Sequence, residues 1–268
     1  MQKLETLIKV LEISKDAVFI LDNNGDILDC NSSACTIFAY AKDELIGLNV
    51  NELLVSPSGD ALDDFNKSVY LKRNAIDRNK FEFPVEFMAK TVKLEEEVTV
   101  MFVKDNSTEE KLQERLYYLS HFDELTGLRN RKAIYEFIEN QEEPCAISLV
   151  DLDDFKALND KHGHQAGDQV LIAFSKLIAL EESIVAGRIG GQEFLLCHKN
   201  TCKADAAEVL NDILEEANME LPEYGGVRFS AGTGFWNKKD SLKKVMQKVD
   251  RRIYKAKYLG KNQVCIED

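Results

Sequence analysis

Apolar positions follow two periods along the chain. Leu4, Leu7, Ile8 and Leu11 have the spacing of an amphipathic helix. AVFILD (17–22), the turn NNGD and ILDC (27–30) predict a hairpin. NSSACTIFAYAKDELIG (31–47) predicts short helical turns, and residues 60–72 a helix. FEFPVEFMAKTV (81–92) and EVTVMFVKD (97–105) predict two longer strands, and Pro84 marks the first as an edge or bulge position. A helix start is expected near Thr108. Leu112, Leu116 and Leu119 then form one stripe on a lone helix, or a seam across two chains.

Beyond residue 120 the periods alternate. RKAIYEFIEN reads as helix, CAISLVDLD as strand, then DFKALNDKHG and QAGDQVLIAFSKLIAL as helices. SIVAGRIG and QEFLLCH form a strand pair around a tight turn. ADAAEVLNDILEEANM is helical, and GVRFSAGTGFW is a strand. Leu242, Val245, Met246, Val249 and Ile253 line a last helix, and QVCI is a final strand. A central sheet covered by helices follows. The 268 residues suit two domains, since a domain usually takes ~100–200.

Composition narrows the function. Net charge is −13, from 34 basic and 47 acidic residues, which argues against broad nucleic-acid or membrane-surface binding. Residues 1–110 carry −9 and residues 111–268 carry −4. Lys238 to Lys261 reverses the trend with ten basic residues against two acidic ones, which suggests a small polyanionic ligand. No run approaches the ~18 apolar residues of a membrane span, and the charged N-terminus is unlike a signal peptide, so a cytoplasmic protein is expected. The six cysteines include no C-x-x-C pair and read as reduced thiols.

Three groups of residues carry candidate chemistry. Asp151 and Asp153 end the apolar strand AISLV, where open α/β sheets place ligands. They share a face if the strand persists, and either hold a hard divalent cation or cap the helix near Asp154. Gly190 and Gly191 in RIGGQEF form a hairpin turn that also lets a ligand approach the backbone. Lys257 and Lys261 share a helix face.

In order, DELTGLRNR (123–131), DLDDFKALNDKHGHQAGD (151–168), GGQEF (190–194), SAGTG (230–234) and YKAKYLGKNQV (254–264) resemble the GGDEF domain of diguanylate cyclases. DAVFILDNNGDILDCN, AYAKDELIG, FPVEF and VKDNSTEEK resemble a PAS domain. The resemblance implies an α+β chain. A PAS sensor with an antiparallel sheet and short helices spans 1–105, and a helical signalling linker spans 106–120. A GGDEF domain over 121–268 has a central sheet flanked by helices, similar to the nucleotide-cyclase and polymerase palm.

It further implies a homodimer in which each GGDEF domain binds one GTP, the two joining as cyclic di-GMP with release of two pyrophosphates. Asp151 and the Leu152 carbonyl would hold two Mg²⁺ ions. Asn159 and Asp168 would read guanine edges, and Lys156, Lys257 and Lys261 would contact the triphosphate. The backbone of Asp154 and Phe155 would cradle phosphate at a helix start, and Gly190 and Gly191 would let GTP lie against the hairpin. Asp123 and Arg188 read as scaffold.

Two departures stand out. Gln192 occupies the position of the family's metal-binding carboxylate, the proposed base, and is neutral. Adjacent Glu193 faces the other way if the strand is regular. The product-inhibition motif R-x-x-D is absent, its positions holding Glu181 and Ile184. A cyclase impaired by Gln192 is therefore expected. A non-catalytic module that binds GTP or a partner is the alternative, with a pure dimerisation scaffold third. The PAS ligand is open, but residues 1–120 contain no histidine to hold a haem.

Overall fold

The computed structural model describes residues 9–55, 70–93 and 96–267. It divides into two compact units between Glu114 and Arg115.

The first unit is a six-stranded antiparallel sheet with strand order β2-β1-β6-β5-β4-β3. The hairpin β1 (Ala17–Leu21) and β2 (Ile27–Cys30) forms as predicted. Two short helices follow, α1 (Ser32–Phe38) and α2 (Lys42–Leu45). Asn31 caps α1 by accepting from the Ala34 N–H, and its side chain also accepts from Val18, which ties the helix start to β1. β3 (Leu54–Val55), β4 (Leu71–Ile76), β5 (Glu82–Lys93) and β6 (Glu97–Asp105) complete the sheet. Phe19, Phe38, Phe83 and Met101 centre its core.

Two expectations change here, and a third is met as far as the described residues reach. The helix expected over 60–72 fails at its end, because Leu71 and Lys72 open strand β4; residues 60–69 lie outside the described residues. Of the helix expected over 4–11, residues 9–11 are helical and the rest lies outside them. Pro84 is on an interior strand, between β4 and β6, not on an edge strand. It opposes Asn74 of β4 but lies just beyond the β6 ladder, so its missing N–H interrupts only a strand end.

Helix α3 (Ser107–His121) buries none of its side chains; Leu112 and Leu116 are each 57% exposed.

The second unit has strand order β12-β11-β8-β10-β9-β7. In chain order it runs β7 (Arg129–Asn130), α4 (Arg131–Glu139), β8 (Cys145–Leu152), α5 (Phe155–His162), α6 (His164–Leu180), β9 (Ile184–Gly190), β10 (Glu193–Lys199), α7 (Lys203–Met219), β11 (Phe229–Trp236), α8 (Leu242–Tyr258) and β12 (Val264–Cys265). β8 is central and buried along its whole length, which explains its unbroken apolar run. Alternate β8 residues enter two cores. Val150 and Leu152 meet α6 and α7, whereas Ile147 and Leu149 meet α4 and α8. Gly232 of β11 admits α8: a Cβ there would lie 2.3 Å from the Val249 carbonyl oxygen. All six cysteines are free thiols, and Cys202 is exposed. Among the described residues, no helix is long and apolar enough to cross a membrane.

Candidate functional site

β8 delivers Asp151 to the end of a fully buried strand, where the residue is 7% exposed. A carboxylate so placed needs a partner. Lys257 of α8 provides one, with Nζ 2.7 Å from Oδ2, while Oδ1 is buried without a partner.

The strand ends at Leu152, and Asp153 lies just beyond it. Asp153 turns to accept from the Ser230 hydroxyl at 2.9 Å and from the Asn262 N–H at 2.8 Å. It thereby straps the end of β8 to β11 and to the turn after α8, a structural role that only three-dimensional proximity reveals. Capping by Asp151 or Asp153 fails: their carboxylates bond Lys257 and, respectively, Ser230 with Asn262, and not the first-turn N–H groups of α5.

Asp154 has left-handed backbone (φ 55°, ψ 21°), a conformation that Asp tolerates better than most residues. Helix α5 starts immediately after it, and a left-handed residue before helical ones turns successive N–H groups into one concavity. The first-turn N–H groups of α5 lack partners within the helix and carry its positive end. Lys261 donates to the Asp154 carboxylate at 2.5 Å, and this bond holds the exposed ammonium above its ordinary pKa. Lys156 is exposed on the first turn, and Phe155 is half-buried.

Asn159 of α5 lies against α6. Its Oδ1 is buried without a partner and would stand 2.0 Å from a Cβ at Gly167, so the amide occupies space that a side chain there would fill. Asp168, the next residue, is exposed.

Between β9 and β10 the turn lies one residue beyond the expected one: Gly190 ends β9, and Gly191 and Gln192 form the turn, with Gly191 at φ +46°. Gly190 and Gly191 have open space where a Cβ would be. The Gln192 carbonyl accepts from the Leu152 N–H at 3.2 Å, which ties the turn to the strand carrying Asp151. Arg188 braces the same turn. It donates to the Gly191 carbonyl at 2.9 Å and to Asp123 at 3.1 Å. Burial raises the Asp123 pKa, but hydrogen bonds from Thr126, then Arg188, outweigh burial and leave it below the usual range.

Regular alternation from Gln192 fails as a guide to Glu193. The strand begins at Glu193, which pairs directly with Asp151 across the antiparallel β8–β10 ladder. Residues directly opposite share a sheet face, so Glu193 and Asp151 project to the same side.

The fold thus gathers Asp151, Gln192, Glu193 and Lys257 at one end of β8. Asp154 and Lys261 lie beside them, and Asn159 and Gly167 meet between α5 and α6. Among the described residues, no three acidic, His or Cys side chains converge as a metal cluster.

Comparison with known proteins accords with this arrangement. The family model described as "Diguanylate cyclase, GGDEF domain" matches residues 120–263, and the PAS fold model matches residues 6–100. Cyclic di-GMP phosphodiesterase PdeR of Escherichia coli is 28% identical over 96% of this chain and 42% of its own length. Diguanylate cyclase DgcM of the same organism is 31% identical over 63% of this chain and 44% of its own. The chain therefore spans less than half of these curated relatives. Among solved structures, the coiled coil and GGDEF domain of DgcB from Caulobacter crescentus, in complex with c-di-GMP, aligns with a TM-score of 0.53 at 28% identity. That alignment covers 60% of this chain and 94% of DgcB's. Diguanylate cyclase SiaD of Pseudomonas aeruginosa, solved with its activator SiaC, aligns at 0.52 with 26% identity, over 59% of this chain and 65% of SiaD's. The chain belongs to the GGDEF family, with a PAS fold preceding its GGDEF domain.

Proposed function

We propose that this is a PAS-regulated diguanylate cyclase-type signalling protein. It binds GTP and condenses two GTP into cyclic di-GMP across a homodimer, slowly, because Gln192 replaces a carboxylate. The chief support is a pair of buried oxygens without partners, Asp151 Oδ1 and Asn159 Oδ1, at the two ends of the expected nucleotide site. Such atoms are costly to leave unpaired, so a ligand supplying a cation at one and a donor at the other stabilises both.

In this reading the sensor occupies 1–105, the linker 106–120 and the GGDEF domain 121–268, in the cytoplasm where GTP is available. Exposed Leu112, Leu116 and Leu119 join two copies. Asn159 and Asp168 read the guanine edge with an amide and a carboxylate, which suits a base offering both acceptors and donors. Lys257 and Lys261 exchange Asp151 and Asp154 for phosphate oxygens, and Lys156 adds a third cation. The N–H groups of Asp154 and Phe155 receive phosphate at the start of α5. Gly190 and Gly191 leave the nucleotide room against the hairpin.

The residues fit Mg²⁺ that arrives with the phosphates. Mg²⁺ usually takes one or two carboxylates plus phosphate oxygens, and Asp151 Oδ1, the Leu152 carbonyl and the Gln192 amide oxygen offer such a partial set. They do not fit a metal held by protein alone. When bound, Mg²⁺ neutralises phosphate charge and favours ionisation of the attacking hydroxyl. Gln192 offers an oxygen but removes a negative charge and accepts no proton at neutral pH. Glu193, on the Asp151 face, is the nearest carboxylate in sequence to replace it.

A naturally non-catalytic GTP-binding module is the second reading, favoured by Gln192 itself. Mass spectrometry of products from GTP and Mg²⁺ separates the two. Gln192→Glu should raise cyclic di-GMP formation roughly a thousandfold, about 4 kcal/mol of transition-state stabilisation. If that variant binds GTP yet makes no product, the module reading holds. If the parent chain is already fast, Glu193 serves as base. In calorimetry GTP should bind and ATP should not, and equal binding would remove the roles of Asn159 and Asp168.

A further inference from the structure

Helices α7 and α8 are each 17 residues long and cover opposite faces of the second sheet. α7 packs Leu210, Ile213 and Leu214 with Val150 and Phe229, whereas α8 packs Val245, Val249 and Ile253 with Ile147 and Leu195. Their outward faces carry opposite charge. On α7 the stripe is Asp205, Glu208, Asp212 and Glu216, all exposed, and it ends at Met219, 75% exposed. On α8 the stripe is Lys244, Lys248, Arg251 and Lys255, and it ends at Tyr258, 81% exposed.

The two stripes match in register. Asp205, Asp212, Glu216 and Met219 align one for one with Lys244, Arg251, Lys255 and Tyr258 at a constant offset, and Lys248 falls one residue from the position opposite Glu208. Both stripes run about 21 Å at ~1.5 Å per residue. Among the described residues, no ion pair involves the four acidic residues, nor Lys244, Lys248 or Arg251. The α8 stripe contains no acidic residue.

We infer that α8 of one copy docks, parallel and side by side, on α7 of a second copy of this chain. Within one copy the two helices are separated by the sheet, so they cannot satisfy each other. Acid on one face and base on the other makes the contact heterologous, with different surfaces on the two sides. Each copy that docks presents a fresh stripe, so the contact repeats into an open row of copies and is distinct from any two-fold pairing through α3. Met219 against Tyr258 fixes the direction, since a thioether packs well against an aromatic ring and antiparallel docking would oppose each to a charge. Exposed ion pairs are individually weak and screened by salt, so the row forms at high local concentration and dissolves as ionic strength rises.

Sedimentation velocity of the full chain over a concentration series tests this, at about 0.1 M and about 1 M salt, where the Debye length is ~10 Å and ~3 Å. Species larger than those present in high salt should appear in low salt. Arg251→Glu and Asp212→Lys should each weaken that assembly at least about tenfold, since each opposes like charges. An equimolar mixture of the two variants should restore it, because their unaltered faces pair and their altered faces again oppose unlike charges. Identical distributions for parent and variants, or variants that fail to complement, overturn the inference. A labelled single-stranded oligonucleotide added at low salt reads the competing occupant. Binding lost in Arg251→Glu and kept in Asp212→Lys, without self-assembly of the parent, would give the α8 stripe to nucleic acid instead.

Discussion

A missing side chain at Gly167 shapes the guanine end of the proposed site. Asn159 Oδ1 occupies the space a Cβ would need, and Phe155 Cζ lies 3.0 Å from the same point. Gly167→Ala should therefore swing the amide away while the helices stay packed. GTP affinity should fall about tenfold or more, with stability lowered by ~1–3 kcal/mol at most. Calorimetry and urea unfolding on one preparation check both; unchanged GTP affinity would place the amide outside the base site. The spacing of Asn159 and Asp168 was visible in the sequence, but this contact was not, because it depends on how closely α5 and α6 approach. The same limit applied to Glu193. Alternation along one strand said nothing of which residue begins the ladder, and only the pairing with Asp151 fixes its face.

The central strands share a buried polar chain. Ser148 of β8 is hydrogen-bonded to His198 Nε2 of β10 at 2.9 Å and to the Thr233 hydroxyl of β11 at 2.8 Å. Arg252 of α8 donates to the Thr233 carbonyl at 2.7 Å. Burial holds His198 down to about 4 from the usual 6.5. The unfolded chain therefore takes up this proton before the folded one does. Stability from the neutral ring is complete above pH ~6.5 and is lost as pH falls towards 4, by up to ~3 kcal/mol. Urea midpoints at pH 7, 5.5 and 4.5 should show a shallower decline for His198→Gln than for the parent, and parallel curves would refute the assignment. Elements were legible where burial is extreme. β8 is covered on both faces and reads as an unbroken apolar run. β4 is not: LKRNAI has one fully buried residue, Ala75, and its polar face leaves no period to detect. Asp153 looked like half of a metal pair because its bonds to Ser230 and to the Asn262 N–H form only in the fold.

At the level of the whole molecule, the chain carries net charge −13, and in the proposed reading its site takes a polyanion. Its long-range field opposes such a ligand, and the local excess of lysine near α8 works against that field. The cations of the site are already engaged, Lys257 with Asp151 and Lys261 with Asp154. In the proposed reading, binding is then an exchange of counter-ions. An incoming ligand must displace two carboxylates at once, and a monophosphate brings too little charge to compensate both. The site would act as a valence threshold, nearly indifferent to nucleosides and steeply responsive to the second and third phosphate. Calorimetry with GTP, GDP and GMP in one buffer should give a loss of about tenfold or more for each phosphate removed, roughly 1.4 kcal/mol a step. Equal affinities would mean that the lysines keep their carboxylates and that the nucleotide is held by its base alone.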